Sequence, residues 1–293
     1  NSDRRQRQMC IRDSTKTLVE TLSDGAVLSF GLESADPSVH EANWLNCDPA
    51  QLKTAIRLVN KHGSVRGERG LPKLLPGLNF IAGLNGESEA TYGMNMDLLR
   101  GIRSEGLLLR RINIRQVEGE GFQEVPSEAF ARFKKDCRDQ IDKPLLEELF
   151  PLGQVIHDVH WESHDGRTRL PVHETELHRA SEVHGKAGIT FGRQIGAYPI
   201  LVGVEYKIPL ETQSSVMITG HGARSITGVE VGLDPMNVSE KQLESIPGIG
   251  KKSAWSLVSA RAKLRSKGKA VELEPWLDQA GIPLTETVRN VLG

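Results

Sequence analysis

Three short apolar blocks punctuate the N-terminal part of the chain, and the stretches between them repeat at helical spacing. Gly25 to Leu32 (GAVLSFGL), Leu78 to Leu84 (LNFIAGL) and Leu107 to Val117 (LLLRRINIRQV) read as strands. Pro49 to His62 and Ser88 to Ser104 read as helices, and Thr15 to Ser23 as the end of another. Apolar runs of this length, bounded by turn residues, suit strands buried on both faces, as in parallel sheets. The order strand, helix, strand, helix, strand predicts βαβ units. The middle strand leaves through Gly83-Leu84-Asn85-Gly86-Glu87. Gly83 and Gly86 there allow a sharp turn and a close approach of a ligand to the backbone. In open α/β sheets and α/β barrels, ligands sit at such carboxyl ends.

The pattern then changes twice. Pro126 to Leu149 carries apolar residues at Phe130, Phe133, Ile141, Leu145, Leu146 and Leu149, which predicts one amphipathic helix broken at Pro144. From Gln154 the residues alternate, with Asp165-Gly166 as a hairpin turn. Ile189 to Gly203 and Ser214 to Gly232 are short β-prone segments broken by glycines, which predicts a small closed barrel. Near the C-terminus, Leu243 to Ala254 reads LESIPGIGKKSA, the h-x-x-h-P-G-h-G-x-x-x-A spacing of a helix-hairpin-helix. Its first helix, with Ser239 as N-cap and Gln242 completing a capping box, must stop before Pro247. Gly248 and Gly250 let backbone N–H groups point outward, the second helix presents its N-terminus, and Lys251 and Lys252 add charge. Together these predict sequence-independent binding to a nucleic-acid backbone. Arg261, Lys263, Arg265, Lys267 and Lys269 extend the basic stretch, and Glu274 to Gly293 reads as a second, degenerate hairpin used for packing.

Composition narrows the class without choosing it. With 293 residues, a net charge of -1 and 26% charged residues, the chain has room for two or three domains and no overall basic signal, so any nucleic-acid surface is local. Cys10, Cys47 and Cys137 are far apart, neither a disulfide framework nor a CxxC pair, which makes a reducing compartment the default. No run approaches the roughly 18 apolar residues of a membrane span, and there is no secretory signal, so the chain reads as cytoplasmic with no membrane partner. His157, His160, His164, His173, His178 and His184 fit no standard zinc spacing and lack cysteine partners, so no metal ligand is assigned.

Taken in order, GLES (Gly31 to Ser34), LPGLNFIAGLNGE and LRRINIRQV resemble the second half of a radical S-adenosylmethionine barrel. With the C-terminal hairpin, they resemble an archaeal group of such proteins that carries a helix-hairpin-helix. The resemblance implies that Glu33 and Ser34 hold the ribose of S-adenosylmethionine, and that Asn79, Gly83 and Gly86 lie along the strand end that meets its adenine. On the third strand Arg111, Asn113 and Arg115 share one face; buried charge needs a partner, so this face reads either as an active-site wall, with Arg115 meeting the carboxylate of S-adenosylmethionine or a substrate phosphate, or as a salt-bridged outer face. Asn85 stands where relatives often have proline. Val216 to Val229 (VMITGHGARSITGV) resembles an RNA-binding TRAM-type barrel, which would turn His221, Arg224 and Ser225 toward phosphate or base. A [4Fe–4S] cluster held by CxxxCxxC belongs to the family, but this chain has no such spacing, so the cluster is expected only in a longer parent. Arg4 to Ser14 resembles the in-frame translation of a sequencing adaptor, which makes Asn1 to Ser14 foreign to the fold.

The fold class expected is therefore α/β plus a small β barrel plus all-α. Residues 15–125 form half of a radical S-adenosylmethionine barrel, and 126–152 a linker helix. Residues 153–233 form a TRAM- or OB-like β module, and 234–293 the helix-hairpin-helix domain. The function implied is S-adenosylmethionine-dependent radical modification of RNA or DNA. Two alternatives stay open: a non-catalytic nucleic-acid-binding protein, and a radical enzyme acting on a small molecule or protein. The strand at Gly25–Leu32, cut from any upstream neighbour, is expected to leave an apolar parallel edge prone to association.

Overall fold

The fold comes from a computed structural model that describes residues 13–165, 183–196 and 198–293. It divides into two compact units, one up to Leu149 (with 196–198) and one of Phe150–Ile195 and Pro199–Gly293.

The first unit is built on a three-stranded parallel sheet of order β1-β2-β3: β1 Ala26–Glu33, β2 Leu74–Ala82 and β3 Arg111–Gln116. Helix α1 reaches residue 21. Helices α2 (Pro37–Asn43) and α3 (Pro49–Gly63) both start at Asp-Pro, where the aspartate caps the free N–H groups and proline sits at the first helical position. Helix α4 (Glu89–Ser104) begins after Ser88, whose N–H donates to Thr91 Oγ1 at 3.0 Å. The apolar face of the sheet carries Leu32, Leu78, Phe80 and Ala82 and packs on Leu52, Ile56, Met96, Leu99 and Ile102. Asn60 fixes the approach to β3 by donating to the Leu108 carbonyl and accepting its N–H.

Three sequence expectations change here. Strands β1 and β2 are not apolar on both sides, because their second face carries Ser29, Gly31 and Asn79, in line with Arg111 and Asn113 of β3. Strand β3 starts four residues later than expected, since Leu107 to Leu109 is drawn off to pack the core. The helix expected to break at Pro144 runs on instead. Helix α5 (Ser127–Cys137) passes through a π turn at Arg138–Asp142 into α6 (Lys143–Leu149). A π turn widens the helix where proline withholds its N–H from the preceding turn.

The second unit opens with a closed five-stranded barrel: β4 (Val155–His164), β5 (Ala187–Gln194), β6 (Leu201–Tyr206), β7 (Gln213–His221) and β8 (Ser225–Glu230). The order around the barrel is β4-β5-β6-β8-β7, and β6 with β8 is its one parallel pair. Its core includes Trp161, Val202, Val204, Tyr206, Val216 and Val229, all buried. Trp161 is admitted because its Nε1–H donates to Ser214 Oγ at 2.8 Å. The hairpin turn expected at Asp165-Gly166 runs into residues outside those described, and the described partner of β4 on that side is β5. Strand β5 begins at Ala187, and Asp165 accepts from Ile189 N–H.

Four helices follow: α7 (Glu240–Glu244), α8 (Lys251–Ser266), α9 (Leu273–Ala280) and α10 (Glu286–Leu292). The capping box at Ser239 and Gln242 is present as the spacing predicts. Trp276 is fully buried and donates to the Leu257 carbonyl, joining α9 to α8. Leu277, Val288, Val291 and Leu292 are buried around it.

Candidate functional site

The second face of the parallel sheet is polar and lined by small residues. Ser29, Gly77 and Arg111 form one row across the three strands, and Gly31, Asn79 and Asn113 form the next. Asn113 Nδ2 donates to Asn79 Oδ1 at 2.9 Å and its Oδ1 accepts from Arg111 Nε at 2.8 Å, so the row is held as a network.

At the carboxyl end of this face β1 bulges between Gly31 and Glu33, and Glu33 takes φ 68°. A positive φ at a residue with a Cβ costs about 1–2 kcal/mol, and bulges re-aim side chains beside sites. The effect is to fold the Glu33 carboxyl back over Gly31, where an added Cβ would come within 2.6 Å of Oε1. Oε2 is buried and has no hydrogen-bond partner among the described residues. Burial raises the Glu33 pKa, and the positive charge of Arg115 partly opposes that rise. Arg115 is exposed and lies across β2 from β1. Glu33 and Arg115, assigned separately along the sequence, thus act on one another.

The other expected cofactor residues are engaged by the protein itself. Ser34 is buried, and its Oγ accepts from Asp36 N–H at 3.1 Å, a turn cap. Gly83 takes φ 95°, and a Cβ there would lie 2.6 Å from the Val117 carbonyl. Gly86 takes φ 81° and would press on Ser38 and Ala42. The backbone of the chain therefore already demands both glycines.

Glu87 stands at the start of the next helix in the sequence, yet α4 starts only at Glu89, and Glu87 is 5% exposed. Its Oε2 accepts the Gly83 N–H at 2.5 Å and closes the turn after β2. Burial raises its pKa, while the Gly83 N–H and the Tyr92 hydroxyl pull the other way and Asp36 adds to the rise. Only its place after two glycines could have signalled this role. Cys47 lies close enough to feel the Glu33 charge. Burial first, then Asp48 and Glu33, raise its thiol, which keeps it protonated beside the same strand end.

In the second unit, Ile246 to Gly250 turns the chain between α7 and α8. Gly248 takes φ 89°, while Gly250 has φ -85° as the N-cap of α8, and nothing lies within 4 Å of a Cβ built on either. Lys251 and Lys252 are exposed in the first helical turn. The wider basic stretch is smaller than it reads. Arg261 donates to the Pro235 and Val238 carbonyls and Arg265 to the Met236 carbonyl, so both brace the loop before α7. His221 is likewise occupied, its Nε2 bonded to the Phe150 carbonyl at 2.6 Å. Arg224 is exposed in the turn between β7 and β8.

The histidines do not converge. His157 meets Ser215, His160 meets Glu211, His164 meets the Ile208 carbonyl and His184 meets Glu230. His173 and His178 lie outside the described residues, as do residues 1–12, which include Cys10. No group of three or more metal-ligating side chains occurs among the described residues, and no helix among them is long and apolar enough to cross a membrane.

No protein-family model matches the chain. It is 36% identical over 243 residues to an uncharacterized protein of Archaeoglobus fulgidus, covering 80% of this chain and 42% of that one. It is also 34% identical over 228 residues to the uncharacterized protein MJ0274 of Methanocaldococcus jannaschii, covering 74% and 38%. The chain therefore spans about two fifths of the length of the curated relatives it matches.

Proposed function

We propose that this chain is part of a radical S-adenosylmethionine enzyme that acts on nucleic acid. The observation that carries the first half is Glu33. A left-handed residue placed by a bulge, with a buried carboxylate oxygen lacking a partner, fits a ligand that supplies a donor there. The ribose hydroxyls of S-adenosylmethionine are such donors, and Arg115 fits its carboxylate. The polar, glycine-bearing face of a parallel sheet fits the inner wall of a half-barrel. Cys47 and Cys137, the described cysteines, do not supply the three thiolates of a [4Fe–4S] cluster.

Nucleic acid is supported by the second unit. The order β4-β5-β6-β8-β7 with β6 parallel to β8 is the order of oligonucleotide-binding barrels, whose last hairpin loop contacts the strand. Arg224 sits in the corresponding turn. The sequence IPGIGKK presents a left-handed glycine, an open helix N-terminus and two free lysines, which fits a helix-hairpin-helix gripping phosphates.

Calorimetric titration of S-adenosylmethionine into the protein and its variants tests the first half. Glu33→Gln should weaken binding about 10-fold or more, because a hydrogen bond to a charged group contributes about 1.5–3 kcal/mol. Glu33→Gly should abolish binding while raising the melting temperature, since it relieves the positive φ. Unchanged affinity in both variants would remove S-adenosylmethionine from this strand end.

A further inference from the structure

Trp255 is 64% exposed, although tryptophan is among the residues most costly to leave in water. Of the four tryptophans, Trp161 and Trp276 are fully buried with their N–H groups satisfied, whereas Trp44 and Trp255 are exposed, and of these two Trp255 stands beside the hairpin, on the surface of α8. It follows Lys251 by four residues and Lys252 by three, so all three share one face of the helix. Helical side chains lean toward the N-terminus, so the indole lies back over the first turn and toward the Gly248–Gly250 turn.

The charges around it are arranged for an external partner. Helix α8 carries Lys251, Lys252, Arg261, Lys263 and Arg265 and no acidic residue. Two lysines at the first two helical positions oppose the helix dipole, which favours anions there. Lys251 and Lys252 are exposed, so nothing in the fold requires them at that end.

We infer that Trp255 stacks on an unpaired base of the strand whose backbone is held at the hairpin, so that this module selects single-stranded or locally opened nucleic acid over an intact duplex. The inference rests on the nucleic-acid reading above and deepens it. An anion alone would be served by the lysines and the hairpin. A flat, exposed ring set one turn behind them adds a surface that only an unstacked base can use, since bases within a duplex already stack on their neighbours. Stacking does not read the sugar, so RNA and DNA share this chemistry, and Lys251 and Lys252 read only phosphate.

The test is fluorescence anisotropy of labelled single strands, of both RNA and DNA, and of the matched duplexes, with the full chain. Wild type should bind both single strands more tightly than the matched duplexes. Trp255→Ala should lower single-strand affinity roughly 5- to 100-fold with duplex affinity unchanged, and Trp255→Phe should recover most of the loss. The double variant Lys251→Ala/Lys252→Ala should weaken both forms and reduce the salt slope by about one to two. If Trp255→Ala binds single strands as wild type does, stacking is overturned, and a loss in the lysine variant would leave backbone binding standing. If neither variant changes affinity, or wild type binds no nucleic acid, the underlying reading falls with it.

Discussion

Single residues in this protein are decided by what their backbone and neighbours allow. Gly248 and Gly250 look equivalent in the motif but differ physically. Gly248 has φ 89°, whereas Gly250 has φ -85°, a conformation open to any residue. Gly248→Ala should destabilise by about 1 kcal/mol through the backbone alone. Gly250→Ala should leave the denaturation midpoint unchanged; if the hairpin binds a nucleic-acid backbone as proposed, it should also weaken that binding, because its methyl would project where the proposed phosphate approaches. Equal stability losses in the two would mean that the turn differs from the one described. Glu33 and Glu87 form a similar pair. Both are carboxylates at strand ends with pKa values raised by burial. Glu87 is committed to the Gly83 N–H, whereas one oxygen of Glu33 is left over for a partner. Nothing in the residue type separates them; the fold does.

At the scale of elements, the helical hairpin is tied to the barrel of its own unit by polar side chains. His184 Nε2 lies 2.7 Å from Glu230 Oε2 and 3.1 Å from Gln242 Nε2. Glu230 N–H donates to the Tyr206 hydroxyl, and Ser239 Oγ donates to the Gly185 carbonyl. The hydrogen bond to Glu230 raises the His184 pKa above its ordinary value near 6.5, with burial opposing. A raised histidine pKa means that the folded state holds the proton more tightly than the unfolded chain. The stabilisation is therefore fully present below about pH 6.5 and is lost as pH rises through the folded value. Melting temperature followed from pH 6 to pH 9 should fall in wild type, and His184→Gln should flatten that part of the profile. An unaltered profile in the variant would show that another group sets it. Gln242 was legible from sequence as a capping residue. Its contact with His184 was not, because the two are 58 positions apart.

At the scale of the whole molecule, the described residues give β1 one neighbour, β2, and its edge runs through Ala26, Val27 and Leu28. An apolar parallel edge recruits other chains. Sedimentation velocity should therefore show concentration-dependent association, reduced by Val27→Lys; a concentration-independent monomer would contradict this. The sequence by itself determined the succession of βαβ units, the small barrel, the capping box and the glycine turn before Lys251. Each rests on interactions within a few residues or on a hydrophobic period, and both are written locally. Only the tertiary structure decided that the polar face runs across all three parallel strands, that Glu33 folds over Gly31 in the field of Arg115, and that His221, Arg261 and Arg265 are spent on backbone carbonyls. It likewise decided that Trp255 stays outside while Trp276 goes in. Those outcomes depend on which distant groups meet, and on which buried donors and acceptors find partners before solvent or a ligand does.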